Sequence, residues 1–415
     1  MSGATALAMA PENRRLRVAR ATAQAAALLV LIGAATSPPL ASLASALMLA
    51  AFAAMPDAWP RLRRVLTEPL GRGWLVLVAA LLLGFAVGLW RAPATALHGL
   101  WDWRHLLMVP VGLALFDSAQ AKRRLTVGLI VFAAVAAAAS LAMQLQGLAY
   151  KDGHAPGVLL RNTVTQAMTF GVAAYLALLL AATGQVARLL PRLLLAMAGL
   201  GLLAMLLFAQ HGRSGALALL VMVAVTVLLL LRGRVRLVAL IAVPLLATAA
   251  YAASPKLQTR FTQAVHELRN AQHLPEYSSM GIRVIIWENT AALIAARPLL
   301  GTGLGGYPAA YADRIGMQQR EGWKALPTAD PHNQYLFVWA EAGLPGLVGL
   351  LALIIGALRQ STITPYRAAG VALLAAWCTT SLFSSHFQTF NEGHMLAVLL
   401  GAMLARTAPP AAAAT

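Results

Sequence analysis

The chain has 415 residues, 60% of them hydrophobic and only 11% charged. That balance excludes an ordinary water-soluble enzyme or binding module and makes lipid the main solvent of this protein. The net charge of +18 does not signal nucleic acid, because the basic residues fall in short clusters between apolar stretches rather than in one patch.

In chain order, Arg14, Arg15, Arg17 and Arg20 precede a first apolar run, as in a signal-peptide n-region or an uncleaved first span. The topology below requires the span to be retained. A bilayer core needs about 20 apolar residues per helix. Candidate spans are 21–36, 38–55, 73–90, 105–118, 125–146, 163–183, 190–208, 214–231, 235–253, 332–357, 367–385 and 393–407. The runs are continuous rather than alternating, so they predict helices and not barrel strands. The single Cys378 lies within one of them, and no disulfide is available.

With the N-terminus in the cytoplasm, 19 of the 32 Lys and Arg fall on the cytoplasmic side, while 10 of the 14 acids fall outside. Every short cytoplasmic connection is then basic, as the positive-inside rule requires. The expected organisation is nine spans in 1–253, a periplasmic loop at 254–331, three spans in 332–407 and a disordered Ala/Pro tail at 408–415. The fold class is an all-α polytopic membrane protein of about twelve transmembrane helices with a large helical periplasmic loop.

The long loop has its own pattern. Leu257, Phe261, Val265 and Leu268 recur at helical spacing in 254–270, and 278–298 reads as a second helix, capped by Ser278 or Ser279 and ended at Arg297-Pro298. Both suit an amphipathic position on the membrane surface. A loop of this length with its own helices is usually functional.

The stretch "DPHNQYLFVWAEAGLPG" (330–346) opens the tenth span with polar residues. Asp330 reads as an N-cap, Pro331 as the first helical residue, and His332 and Asn333 as the first turn. The positive helix end keeps an imidazole neutral and attracts anions. The plainer alternative is a histidine that only helps close the helix at the interface. Three cations lie on the same face: Arg161 before the sixth span, Arg213 in the turn between the seventh and eighth, and Arg283 on the loop helix with Trp287 one turn along. Snorkelling to headgroups accounts for any one of them. Three near one polar helix start make an anion site competitive.

Gly301, Gly303 and Gly306 match G-x-G-x-x-G, but no βαβ unit surrounds them, so a flexible, close-packed turn is expected instead of a dinucleotide site. No metal site is expected: there is no H-E-x-x-H, Cys cluster or D-x-D in the outer loops, and His266 and His273 lack a carboxylate cluster. Glu341, about 13 Å into its helix, is costly unless paired or in a wet cavity, and Gly343 and Pro345 loosen the helix there.

"GRSGALALLVMVAV", "RVIIWENTAALIAARPLLGTGLGGY" and "HNQYLFVWAEAGLPGLVGLL", in that order over roughly 205–357, resemble the bacterial O-antigen ligase/polymerase superfamily. Twelve spans with a large loop before a His-Asn helix start look most like its lipopolysaccharide ligases. The resemblance implies a GT-C-like glycosyltransferase of the Gram-negative inner membrane with its active site on the periplasmic side. Its donor would be an undecaprenyl-pyrophosphate-linked glycan and its acceptor lipid A–core, with membrane lipids as surroundings and no nucleic-acid partner or cofactor. The family's essential histidine matches His332, its loop-helix arginine Arg283 and its arginine after the seventh span Arg213; Arg161 matches with different flanking residues. Asp330, Asn333 and Trp287 complete the expected substrate site.

The residues suit that chemistry. A pyrophosphate leaving group without a metal needs arginines, and an acceptor hydroxyl needs a base such as His332. In-line attack would invert the anomeric centre. An O-antigen polymerase or a protein O-oligosaccharyltransferase would share the donor site. A transporter is the alternative of another class, and the first half contains no repeat of the 254–331 loop to support it.

Overall fold

The computed structural model describes residues 11–407, leaving aside 151–152, 154, 210–211, 254, 271–278 and 319–321. The expected tail at 408–415, His273 and the alternative cap Ser278 lie outside the described residues. The described chain is helical, with no strand among its elements. In the first half these are α1 (Pro11–Thr36), α2 (Pro38–Ala53), α3 (Ala58–Leu66), α4 (Pro69–Arg91), α5 (Pro93–Trp101), α6 (Met108–Leu115), α7 (Ala119–Leu145), α8 (Thr163–Ala182) and α9 (Leu189–Ala204). The second half holds α10 (Arg213–Leu230), α11 (Gly233–Ala253), α12 (Pro255–Arg269), α13 (Ser279–Ala296), α14 (Tyr307–Gly316), α15 (Gln334–Arg359), α16 (Tyr366–Thr380) and α17 (Phe390–Leu404).

Each of the twelve apolar runs is occupied by helix. Six helices among the described residues are long and apolar enough to cross a membrane: α1, α4, α7, α8, α9 with its π-helical extension, and α15. The pair α2 and α3, bent by 105°, is a seventh candidate, and α10 and α17 are shorter apolar helices. The expected span 105–118 resolves into a 3-10 turn at Arg104–Leu107 and the eight residues of α6. Eight residues rise only about 12 Å, far short of a bilayer core.

Helices approach closely where side chains vanish. Antiparallel α4 and α15 meet through Gly73, Gly84, Gly349 and Gly356; a Cβ on Gly356 would strike the carbonyl of Pro69, and one on Gly73 that of Ala352. Between membrane helices, where apolar burial gives no net drive, such backbone contact supplies the dispersion that holds the pair. Parallel α8 and α10 do the same at Gly171 and Gly215.

Charged residues collect at one end of the bundle. Asp117 accepts from Arg61 at 2.7 Å and Arg20 at 3.4 Å, and Arg406 lies 3.6 Å from Glu68. Lys122, fully buried, donates to the carbonyls of Met403 and Ala405 and to Thr362. It thereby supplies a donor to the free carbonyls at the end of α17. The loop 298–306, the starts of α8, α10, α15 and α17 and the end of α4 gather at the other end.

The two loop helices form where their sequence patterns predict them. α12 is amphipathic. α13 begins at Ser279 and ends at Ala296, before Arg297-Pro298, as its sequence predicts. Its Ile282, Ile286 and Ile294 form a second small core with Tyr307, Tyr311 and Phe337 of α14 and α15, so this face of α13 packs on protein.

The glycine turn stabilises a break in α15. Gly343 has φ 63° and ψ −164°, and Pro345 carries no N–H, so Ala340 and Glu341 lose their helical donors. Unpaired carbonyls are costly in an apolar setting. Thr302 N–H donates to Ala340 O at 2.7 Å and Gly303 N–H to Glu341 O at 2.9 Å, while Leu344 N–H turns to Pro298 O at 3.0 Å. The turn is therefore close-packed, as the three glycines predict. Glu341 is buried, and its carboxylate accepts from Gly305 N–H at 2.9 Å and from the backbone of Tyr307 at the start of α14. The expected partners of this deep carboxylate are backbone groups at a helix N-terminus.

Candidate active site

The polar opening of α15 folds differently from the simple reading. Asn333, not Asp330, is the N-cap: its Oδ1 accepts from Tyr335 N–H at 3.0 Å and Leu336 N–H at 3.1 Å. The helix starts at Gln334, so Pro331 is not its first residue and His332 is not in its first turn. Asp330 instead closes a local turn, its Oδ1 accepting His332 N–H at 2.7 Å. His332 sits at φ 53°, the sole described non-glycine residue with positive φ. Left-handed backbone is unfavourable for a side chain with a Cβ and is retained where surroundings over-determine it. Here Asp330 on one side and the Asn333 cap on the other do so.

The Asp330 carboxylate reaches two ways. Ser385 Oγ donates to its Oδ1 at 2.6 Å, and its Oδ2 lies 3.8 Å from His332 Nδ1. Trp287 Nε1 donates to Pro331 O at 2.9 Å and its ring faces Phe383, with centroids 6.3 Å apart. That contact brings α13 against the turn, and Arg283, one helical turn before Trp287, adds its positive field at His332. Partial burial pushes the imidazole below its ordinary value; Arg283 pushes the same way and Asp330 opposes both. The shift runs in the direction that favours a neutral imidazole, and its causes are burial and a guanidinium rather than a helix end.

Asp330, His332, Asn333, Arg283 and Trp287 are thus one cluster. Arg161 stands just before α8, its N–H on Ala35 O and its guanidinium 5.7 Å from the Phe390 ring. Asn162 caps α8 through Thr165 N–H. Arg213 opens α10, and Gly212 before it packs on Thr163 and Ala167, so that turn adjoins the start of α8; the Arg213 side chain itself lies outside the described residues.

The segment 381–392 joins the two groups, and sequence reasoning missed it. Gln334 Oε1 accepts from Phe387 N–H and Gln388 N–H, and Ser381 O accepts from Gln334 N–H. Buried Glu392 accepts from Thr165 at 2.8 Å and Thr389 at 2.9 Å. His386 is 1% exposed, with no hydrogen-bond partner on either ring nitrogen among the described residues. Burial lowers its affinity for protons, while Glu392 and Asp330 oppose that. A signal was present: "SSHFQTFNEGH" (384–394) is a polar run between two apolar ones. Among the described residues no three of His, Cys, Asp and Glu gather as a metal site.

Comparisons with known proteins bear on the second half. Residues 198–351 match a family model described as O-Antigen ligase. That stretch includes Arg213, Arg283, Trp287 and His332 but neither Arg161 nor the 381–392 segment. Over 121 residues the chain is 28% identical to an uncharacterised protein of Haemophilus influenzae, a match taking in 28% of this chain and 30% of that relative's length.

Proposed function

We infer that this chain, which carries the O-antigen ligase superfamily's domain, is a periplasmic glycosyltransferase of the bacterial inner membrane. It moves O-antigen glycan from undecaprenyl pyrophosphate onto lipid A–core. The observation that carries the reading is His332: a half-buried imidazole held in a left-handed turn by Asp330 and facing the charge of Arg283. A base kept neutral beside a cation suits a reaction in which a hydroxyl loses a proton while an anion departs.

In the step proposed, the acceptor hydroxyl gives its proton to His332 as its oxygen bonds to the anomeric carbon. The bond from that carbon to the pyrophosphate oxygen breaks, and undecaprenyl pyrophosphate leaves with the electron pair. Attack opposite the leaving group inverts the anomeric centre. Arg283, Arg213 and Arg161 receive the pyrophosphate charge by bidentate hydrogen bonding. Asp330 orients the imidazole through its Nδ1 side, leaving Nε2 for the acceptor. Asn333 holds the helix start and Trp287 holds α13 against it.

The Lys/Arg bias supports a cytoplasmic Arg20–Asp117–Arg61 end and a periplasmic His332 end. The test is transfer rate beside lipid-pyrophosphate affinity in purified variants. His332→Asn should lose about 10²–10⁴ in rate with donor affinity retained, whereas Arg283→Ala should lose donor affinity as well. A well-folded His332→Asn protein with near-normal transfer overturns the assignment. Deletion separates ligase from polymerase: loss of capped lipopolysaccharide with polymeric lipid-linked glycan accumulating supports the ligase, and retained single-unit capping supports the polymerase.

A further inference from the structure

A second cationic site lies away from His332, at the far end of α13. A cavity of about 370 Å³ is lined by Arg91 at the end of α4, Arg297 just after α13 and Arg314 on α14, with Thr302 and Gly306 of the glycine turn between them. Three arginines from separate parts of the chain line it, against one lining carboxylate, Asp313. Such a gathering of arginines around one hollow in a membrane protein requires a reason.

Two of the arginines are fixed by the fold. Arg91 donates to Gly301 O, and Arg314 Nε donates to Asn289 Oδ1 at 3.0 Å. Arg297 has no side-chain hydrogen bond or ion pair among the described residues and is exposed. Exposed apolar side chains accompany it: Met317 lines it, and Trp90, Leu299 and Leu300 lie within three residues of Arg91, Arg297 or Thr302 in the chain. A cationic hollow accompanied by exposed apolar side chains suits an amphiphile whose anionic head enters while its chains lie along them.

The height of the hollow is set by backbone bonds. The turn that lines it is pinned to Ala340, Glu341 and Leu344 at the break in α15. Asn333 stands roughly 10 Å of helical rise before Ala340, and Arg283 roughly 20 Å along α13 from Ala296. The hollow therefore lies nearer the apolar body of the bundle than His332 does.

We propose that Arg91, Arg297 and Arg314 form a seat for the anionic phosphate headgroup of a lipid, separate from the pyrophosphate-binding arginines and set so that a glycan carried on that lipid extends toward His332. The link to the acceptor rests on the function proposed above; the phosphate seat does not. Guanidinium forks bind phosphate oxygens in pairs, and three of them suit a phosphate monoester better than a zwitterionic head.

Native mass spectrometry of the full chain in detergent tests this, with lipid A, dephosphorylated lipid A, phosphatidylglycerol and phosphatidylcholine added in turn. Lipid A and phosphatidylglycerol should be retained over phosphatidylcholine and over the dephosphorylated form. The Arg297→Gln/Arg314→Gln protein should lose that preference by about tenfold in apparent affinity. Arg297→Glu serves if the double variant misfolds, since the exposed Arg297 side chain makes no hydrogen bond or ion pair among the described residues. Lipid A retained above phosphatidylglycerol assigns the seat to the acceptor, and equal retention assigns it to anionic lipid in general; either supports the phosphate seat. Phosphatidylcholine retained as well as both, or a variant that binds like the parent, overturns it. No turnover is required, so a failed His332 assay leaves this result standing, and the converse holds.

Discussion

Asp330 grips His332 at two points: its Oδ1 accepts the histidine's own N–H at 2.7 Å, and its Oδ2 lies 3.8 Å from the ring Nδ1. One carboxylate thus holds the left-handed backbone of His332 by a hydrogen bond and stands near the Nδ1 edge of its ring. Ser385, donating to the same carboxylate at 2.6 Å, ties this pair to the loop after α16.

The first prediction concerns pH. His332 must be neutral to accept a proton, so the rate should rise with pH through its titration and then level. Burial and Arg283 place that limb below the ordinary 6.5 of histidine. Arg283→Gln removes a charge that disfavours protonation and should move the limb to higher pH. Asp330→Asn keeps an oxygen for the His332 N–H but removes the negative charge, and should move it to lower pH. Rate profiles at saturating donor read both shifts; shifts of the opposite sign would refute the electrostatic account.

The second prediction uses the backbone at His332. Asparagine tolerates left-handed φ and a β-branched residue does not. His332→Asn should therefore fold like the parent while losing transfer. His332→Val should lose transfer and also about 1–3 kcal/mol of stability. Thermal unfolding in detergent separates them, and equal stabilities would show that the turn carries no strain.

The third prediction concerns the break in α15. Gly343 has positive φ, and a Cβ there would meet the Leu299 carbonyl. Gly343→Ala should push the 298–306 turn off Ala340 and Glu341, costing more than about 1 kcal/mol. Hydrogen exchange should then speed at Thr302 and Gly303. Unchanged protection there would show that the turn is held by other contacts.

The fourth prediction is a cap. Asn333→Ala removes the acceptor for Tyr335 and Leu336 N–H and should cost about 1 kcal/mol. Asp330→Asn, which keeps its acceptor oxygen, should cost less than this. An Asn333→Ala protein as stable as the parent in thermal unfolding would show that Asn333 does not carry the cap.

The fifth prediction concerns metal. If arginines alone receive the leaving pyrophosphate, transfer by purified enzyme should survive EDTA. Loss restored by added Mg²⁺ would require a metal partner for that charge.

The helices were largely legible in the sequence, since an apolar run of sufficient length has few alternatives in lipid. The end of α13 at Arg297-Pro298 and the break at Gly343 and Pro345 were legible for a local reason: proline removes a donor, and glycine admits positive φ. His332, Asp330 and Arg283 could be named because polar residues beside a long apolar run stand out by cost.

Other features depended on residues far apart in sequence. That Asn333 rather than Asp330 caps α15 follows from Asp330 being occupied by His332 N–H and Ser385, fifty-five positions on. The 381–392 segment gave a polar signal, but its partners Gln334, Thr165 and Asp330 lie in other helices and loops. Apolar periodicity decides which faces are buried; it does not decide which buried polar groups meet, because each must find a partner wherever packing brings one within hydrogen-bond reach. The acceptors freed at Ala340 and Glu341 illustrate this: the sequence shows that a helix must break there, and only the tertiary structure supplies Thr302 and Gly303 to satisfy it.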